Sequence, residues 1–353
     1  MTQRISTLTP LADVLARVAA LVRPLGPRGV ALQDAEGRVL AEDVFAGPWP
    51  AALMALTDGW AVRADEVADA GPYAPVVLSA PPTWVDAGAP MPPGTDAVLA
   101  PDAVTGAEAH AAATAGDGVL GAGGDATPER PLRRASERLR AADVGALEAV
   151  GVSRIHVREP RVRVVSAGAD AAALAVARGV AAHGAKVTFV RALQRALTEE
   201  ADAIIAVGGT GAGTQDRSVE MLARAGTVDI HGFGLSPGET AALGQVGAQP
   251  VLLLPGRLDA ALSGFLVVGD ALLRGLTGAP TSRGMPITLA RKIVSTVGLA
   301  EVVPVRVTER GAEPLASGYW PMQALTRADG WVLVAPESEG FAAGAALEMR
   351  AFP

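Results

Sequence analysis

Cysteine is absent from the 353 residues, which excludes disulfides, thiolate metal sites and cysteine nucleophiles. Histidine is scarce: His110, His156, His183 and His231 stand apart with no pair at metal-ligand spacing, which speaks against a transition-metal site made by protein side chains alone. Lysine occurs only at Lys186 and Lys292. Arginine takes its place, as a GC-rich genome would produce, so few point-charge ligands are available. Positive charge is not in surplus either. The formal net charge is −7 and the arginines are spread along the chain, so no basic stripe marks nucleic acid as the main partner. A small anion held by backbone N–H groups stays open. No apolar run of about 18 residues is free of breakers, so no membrane-spanning helix is expected. The polar start, Met1 to Pro10, does not read as a signal peptide, and a cytoplasmic location is expected.

Half of the residues are hydrophobic, enough for more than one core, and the length predicts several domains. Leu11, Val14, Leu15, Val18 and Leu21 recur at helical spacing and stop at Pro24 and Pro27. From Pro48 to about Thr127, short apolar runs between glycines and prolines predict a small β-rich unit. Within it, Thr105–Gly124 is mostly alanine and glycine and reads as a loose surface excursion. A helix returns at Ala141–Val150. After Pro160, strand-like runs at 161–165, 186–190, 203–207 and 251–254 alternate with helical stretches. That alternation predicts a parallel, doubly wound sheet covered on both faces. Thr277–Pro280 reads as a linker, and the remainder as a small β module. The expected fold class is therefore α/β plus β in a multidomain chain.

The segment with the clearest chemistry is Gly208-Gly-Thr-Gly-Ala-Gly-Thr-Gln-Asp216, between a buried strand and a helix start. Four glycines in six positions let the backbone turn sharply and approach a ligand closely. The N–H groups and the helix dipole then favour an anion, at the strand ends where open α/β sheets bind ligands. The competing reading is a flexible connector in which Asp216 only caps the helix. No Gly-Lys-Ser/Thr follows, so the loop is not a P-loop. Nor does it open its domain, as a dinucleotide fingerprint would.

The string AVGGTGAGTQD resembles the ligand loop of molybdopterin-binding domains, and seven further segments agree with one family in order. Gly37–Ala46 (GRVLAEDVFA), Thr57–Val62 (TDGWAV) and Gly88–Val98 (GAPMPPGTDAV) are similar to motifs of the molybdopterin molybdenumtransferases, the bacterial MoeA and gephyrin E-domain type. Gly124-Asp125 stands where that family has GED, and Leu254-Pro-Gly256 where it has LPGNP. Ala316–Gly318 and Arg327–Gly330 resemble its C-terminal GSG and RANG.

The resemblance implies an elongated chain of four parts. These are a discontinuous N-terminal linker domain, 1–47 with 128–158; a β-rich insertion, 48–127; a molybdopterin-binding α/β domain, 159–279; and a C-terminal β-barrel module, 280–353. It implies a homodimer whose cleft lies between the α/β domain of one subunit and the insertion of the other. The implied activity is insertion of molybdate into adenylylated molybdopterin, with Mg²⁺ near the phosphates. The implied catalytic acids are Asp58, Asp125 and Asp216, with Asp216 the metal-ligand candidate. Without the resemblance, Asp58 reads as a turn residue and Asp125 as a loop acid. The implied pterin contacts are Gly208, Gly209, Thr210, Gly211, Gly213, Asp216, Ser166, Gly168, Pro255 and Gly256.

Several positions depart from the family pattern. Its TGAP has threonine where this chain has Ala87, and its STGDEL reads Ser166–Ala171 with only Asp170 near the glutamate. Its KPGK reads Ser236-Pro-Gly-Glu239, so both lysines are gone, and no arginine replaces them. Ser236, Glu239 and Arg257 are then the molybdate-site candidates. Arg257 either returns one positive charge or is an ordinary loop arginine. Glu239 repels an oxyanion. The departures leave a second expectation: a protein that holds molybdopterin or the finished cofactor without inserting metal, as a carrier or a partner of a molybdoenzyme. A scaffold used only for association is a third.

Overall fold

The computed structural model describes residues 5–281 and 283–352; Met1–Arg4, the first part of the polar start, lie outside them. The α/β sheet has six strands in the order 186–190, 161–166, 203–207, 249–254, 242–246, 227–231. The first four are parallel, as the sequence pattern predicts. The last two are antiparallel additions, because Ala242–Val246 and Gln249–Leu254 form a tight hairpin. The sheet is therefore mixed at one edge.

Alternate residues of Ala203–Val207 enter opposite cores. Ile205 and Val207 pack with helices Asp170–Ala182 and Leu258–Gly264; Ile204 and Ala206 pack under Leu193–Ala196 and Ser218–Ala225. Burial on both faces explains why this strand is a continuous apolar run.

The last of the predicted helical stretches runs as one helix from Leu258 to Thr277, unbroken at its glycines. It is long and apolar enough to cross a membrane, yet most of it is buried inside the protein. Its glycines admit neighbours: a Cβ on Gly275 would lie 2.1 Å from Val22, and one on Gly264 2.7 Å from Leu254. Gly278 ends it with φ +71° and an N–H to the Arg274 carbonyl, 2.7 Å, a left-handed cap.

Helix Leu11–Leu21 packs into the α/β core, with Val14 and Val18 buried there and Arg17 paired to Asp229 at 2.9 Å. Residues 28–44 and 132–157 build a separate core, a three-stranded sheet under helix Ala141–Ala149. In the insertion, Gly59–Val62 pairs antiparallel with Thr83–Val85 and Ala97–Leu99. The stretch read as loose is ordered: Val104–Thr105 and Glu108–Ala109 form strands, and Ala109 and Ala113 are buried. Small side chains fit a thin core, so a composition of alanine did not mean exposure.

In the C-terminal sheet, Ala300–Thr308 pairs antiparallel with Gly330–Val334 and Gly311–Pro314. Met285–Thr288 pairs antiparallel with Ala346–Ala351, and a bridge from Leu289 to Ala312 brings it back against Gly311–Pro314. The sheet also recruits two strands from outside: Phe233–Ser236 pairs parallel with Ala300–Thr308, and Thr9–Pro10 pairs parallel with Phe233–Ser236.

Candidate functional site

Strand Arg161–Ser166 is followed by a helix on one face of the sheet, and its neighbour Ala203–Val207 by a helix on the other. Their loops must diverge, which leaves a crevice at the carboxyl ends of the strands. A cleft of about 550 Å³ occupies it. Gly168, the loop Gly208–Gly211, Asp216, Glu239, Pro255, Gly256 and Arg257 line it. Three loops after three parallel strands thus converge.

Two glycines set the loop's path. Gly208 has φ +105° and Gly209 has φ +72°, values that L side chains rarely adopt. A Cβ on Gly208 would lie 2.5 Å from the Ala167 carbonyl. Gly208 is tied to the neighbouring strand by its N–H to Leu254 O, 2.9 Å. Ser218 Oγ and N donate to the carbonyls of Gly208 and Gly209, 2.8 and 2.9 Å. Thr210 is buried, with its hydroxyl 3.1 Å from that of Thr240 and its carbonyl accepting from His231 Nε2 at 3.1 Å. Gly211 and Gly213 do not have positive φ; they serve by being small beside the Asp216 carboxylate, which accepts the Gly213 N–H at 3.0 Å. Gly213 itself turns away from the cleft, into a depression it shares with Arg217 and Met221.

The cleft's charged side chains are Asp216, Glu239 and Arg257. Glu239 accepts the Gly238 N–H at 3.0 Å. Arg257 is 55% exposed but anchored: Nε donates to the buried Asp259 at 2.7 Å, and the guanidinium lies 5.3 Å from the Tyr319 ring centroid. The other oxygen of Asp259 accepts the Trp320 N–H at 3.1 Å, so one buried carboxylate ties the cleft's cation to the C-terminal sheet.

Other predicted residues lie elsewhere. Ser166 is buried beneath the cleft, its hydroxyl donating to Asp170 at 2.6 Å. Ser236 pairs in register with Glu301 and is not among the lining residues. Asp58 is exposed in the insertion, where it accepts the Ala87 N–H at 2.7 Å. Asp125 is exposed on a loop held to Trp49. Neither lines the cleft of its own chain. Among the described residues no three His, Asp or Glu side chains gather as a metal site. Asp216 alone does not make a magnesium site, which needs further oxygen donors. Sequence reasoning missed Thr240, Ser218 and Asp259; the first two carry no local signal, while Asp259 stands two residues after Arg257, where an acid could have been read as its partner.

Comparison with known proteins agrees with this architecture. Residues 9–151 match the family model described as the MoeA N-terminal region (domain I and II), and residues 163–275 match the probable molybdopterin binding domain. Molybdopterin molybdenumtransferase 1 of Mycobacterium tuberculosis is 27% identical over 82% of each chain. A putative molybdopterin biosynthesis protein of Methanocaldococcus jannaschii is 28% identical, a match that covers 46% of this chain and 39% of that protein. In structure, the molybdopterin biosynthesis MoeA protein of Pyrococcus horikoshii OT3 superposes with a TM-score of 0.78 at 19% identity, covering 98% of this chain and all of the other. Two family models in their proper order, a relative aligned along most of both chains, and a shared fold place this chain in the MoeA family.

Proposed function

We propose that the chain acts in molybdenum cofactor biosynthesis, binding molybdopterin in the cleft at Gly208–Asp216 and inserting molybdate as the metal substrate. The observation that carries the reading is the switch-point cleft, with its loop folded through Gly208 and Gly209. Backbone N–H groups and a following helix suit a phosphate-bearing ligand. The relatives' printed names, molybdopterin molybdenumtransferase 1 and 2, give the chemistry. The adenylylated form of the pterin fits the same logic, with its pyrophosphate as the anion held by the N–H groups.

Asp58 and Asp125 enter this reading from a second copy. Both are exposed on the insertion and away from the cleft of their own chain, as a homodimer with shared clefts requires. Mg²⁺ would then have to come with the pterin phosphates. A cytoplasmic site of action, and a molybdoenzyme as recipient, complete the proposal.

Calorimetric titration with molybdopterin tests the cleft. Gly256→Val suits the purpose: its Cβ has room, 3.4 Å from Gly208 Cα, yet it faces the ligand path. Binding should vanish in a variant that melts like the parent; equal affinity would sink the assignment. Light scattering should give a dimer mass. Mixing Asp216→Asn with Asp58→Asn subunits should restore activity that neither has alone, and no restoration would refute the shared cleft.

A further inference from the structure

A second cavity, of about 520 Å³, lies at the other end of the α/β sheet. Helix Asp170–Ala182 connects two parallel strands and so runs back against them. His183, at its C-terminus, therefore marks the amino ends of the strands, away from the glycine loop. The cavity is closed by Arg133 and Arg138 from the 132–157 segment, Ala182 and His183 at the end of helix Asp170–Ala182, the long helix from Phe265 to Arg274, and the last strand with Trp331 beside it.

Its walls are aromatic. Phe265 and Trp331 are buried, His183 stacks edge-on against Phe265 at 5.7 Å, and Phe352 meets Trp320 edge-on at 6.3 Å. Phe265–Gly269 is a π-helical turn inside the long helix. Such turns recur at functional sites, and this one presents Phe265 and Leu266 to the cavity and sets Asp270 at its end.

Its rim is cationic, in a chain of net charge −7. Glu137 lies 3.2 Å from Arg133, and Asp270 serves both Arg274 at 2.7 Å and His183 at 3.0 Å. Among the described residues no carboxylate lies within ion-pair distance of Arg138 or Arg350. Arg138 spends Nη1 on the carbonyls of Gly37 and Ala182, 2.6 and 2.9 Å. Arg350 lies over Trp331, 5.2 Å from its ring centroid. Burial pushes the Arg138 guanidinium below its ordinary value, with the charge of Asp270 opposing. A half-buried guanidinium without a carboxylate partner gains from an anion placed beside it.

We propose that this cavity binds a small aromatic carboxylate, its ring against Trp331 and Phe352 and its carboxylate toward Arg138 and Arg350. Planar guanidinium groups match a carboxylate's geometry, and the volume suits a ring system of modest size. The proposal does not depend on what the glycine-loop cleft binds.

The test is calorimetry on the full chain with three probes: 1-naphthoate, its neutral counterpart 1-naphthamide, and acetate. Naphthoate should bind, naphthamide more weakly by about tenfold or more and acetate not measurably, since hydrogen bonds to a charged group are stronger than those to a neutral one. Arg350→Gln should weaken naphthoate about tenfold by the same loss. Ala182→Trp, an exposed helix position on the cavity wall, should abolish binding while leaving the melting curve intact. Absent naphthoate binding, equal affinity for naphthamide, or binding unchanged in Ala182→Trp would each overturn the proposal. So would loss of naphthoate binding in Gly256→Val, which would put the probe in the other cleft, or conversion of a dimer to monomer by Ala182→Trp, which would make the cavity a contact between copies.

Discussion

At the carboxyl ends of its parallel strands the α/β domain offers mostly backbone: glycine loops, buried hydroxyls, two carboxylates and a single guanidinium. At the amino ends of those strands lie side chains from several regions, aromatic walls under four arginines. Strand ends account for the first. Loops that follow parallel strands point the same way, so little more than glycine is needed to bring three of them together. The second depends on tertiary packing, since its arginines, at 133, 138, 274 and 350, come from three regions. A site made of backbone resists side-chain substitution but is broken by a Cβ; a site made of side chains behaves the other way.

The largest effect that would separate the two is Phe265→Ala. Phe265 is fully buried, and a Cβ on Gly179 or Gly269 would lie 2.4 or 2.5 Å from its ring. Removing it should cost about 3–5 kcal/mol in a urea titration. Pterin binding at the glycine loop should survive wherever the variant is folded. The next concerns the loop. Gly208→Val should cost more than about 2 kcal/mol, because valine would be held at positive φ against a carbonyl. Gly211→Ala should cost under about 1 kcal/mol, because its Cβ meets only the movable Asp216 carboxylate. Equal costs would mean that the backbone path is not what sets the loop.

Acid should discriminate as well. Hydrogen bonds from Arg140 are the main cause that holds the Asp143 carboxyl down at about 2, and Arg133, on the rim of the aromatic cavity, adds to it from 3.6 Å. The folded value is depressed, so the stabilisation is full above the ordinary carboxylate range near pH 4 and is lost as pH falls toward 2. Asp143→Asn should remove about 1–2 kcal/mol at neutral pH and flatten that part of the pH–stability curve. A parallel loss in both proteins between pH 4 and 2 would show that other groups carry it. The smallest effect is electrostatic. Glu239→Lys reverses a charge lining the glycine-loop cleft; a gain of about 1 kcal/mol after screening would raise molybdate affinity several-fold. Complementation of a bacterial strain lacking its molybdenumtransferase, read by nitrate reductase activity, should improve with it. Unchanged affinity would place molybdate away from Glu239.

Much of the carboxyl-end site was legible in the chain because its signals are local. An apolar run, paired glycines and an acid before a helix lie within fourteen residues, 203–216, and Pro255-Gly256 repeats the strand-then-turn pattern. What was not legible is what each face packs against. The spacing of Leu11, Val14 and Val18 predicts a helix but not its burial in the α/β core. Ala109 and Ala113 are buried although their surroundings read as loose, because alanine is compatible with surface and core alike. Asp58 and Asp125 illustrate the same limit: motif and turn chemistry marked them, but their distance from the cleft follows only from the fold. The aromatic cavity gave no sequence signal, since its parts, from Arg133 to Phe352, are spread over more than two hundred residues of chain.

The parallel pairing of Phe233–Ser236 with Ala300–Thr308, and of Thr9–Pro10 with Phe233–Ser236, makes the two lobes a spliced joint rather than beads on a string. A fragment ending at the Gly278 cap would leave Phe233–Ser236 with an open edge and its apolar Phe233 and Leu235 without the sheet that continues them. Unpaired edges of that kind recruit other chains. The C-terminal sheet thus covers that edge, and a protease cut near Pro280 should yield two pieces that stay together until denaturant separates them.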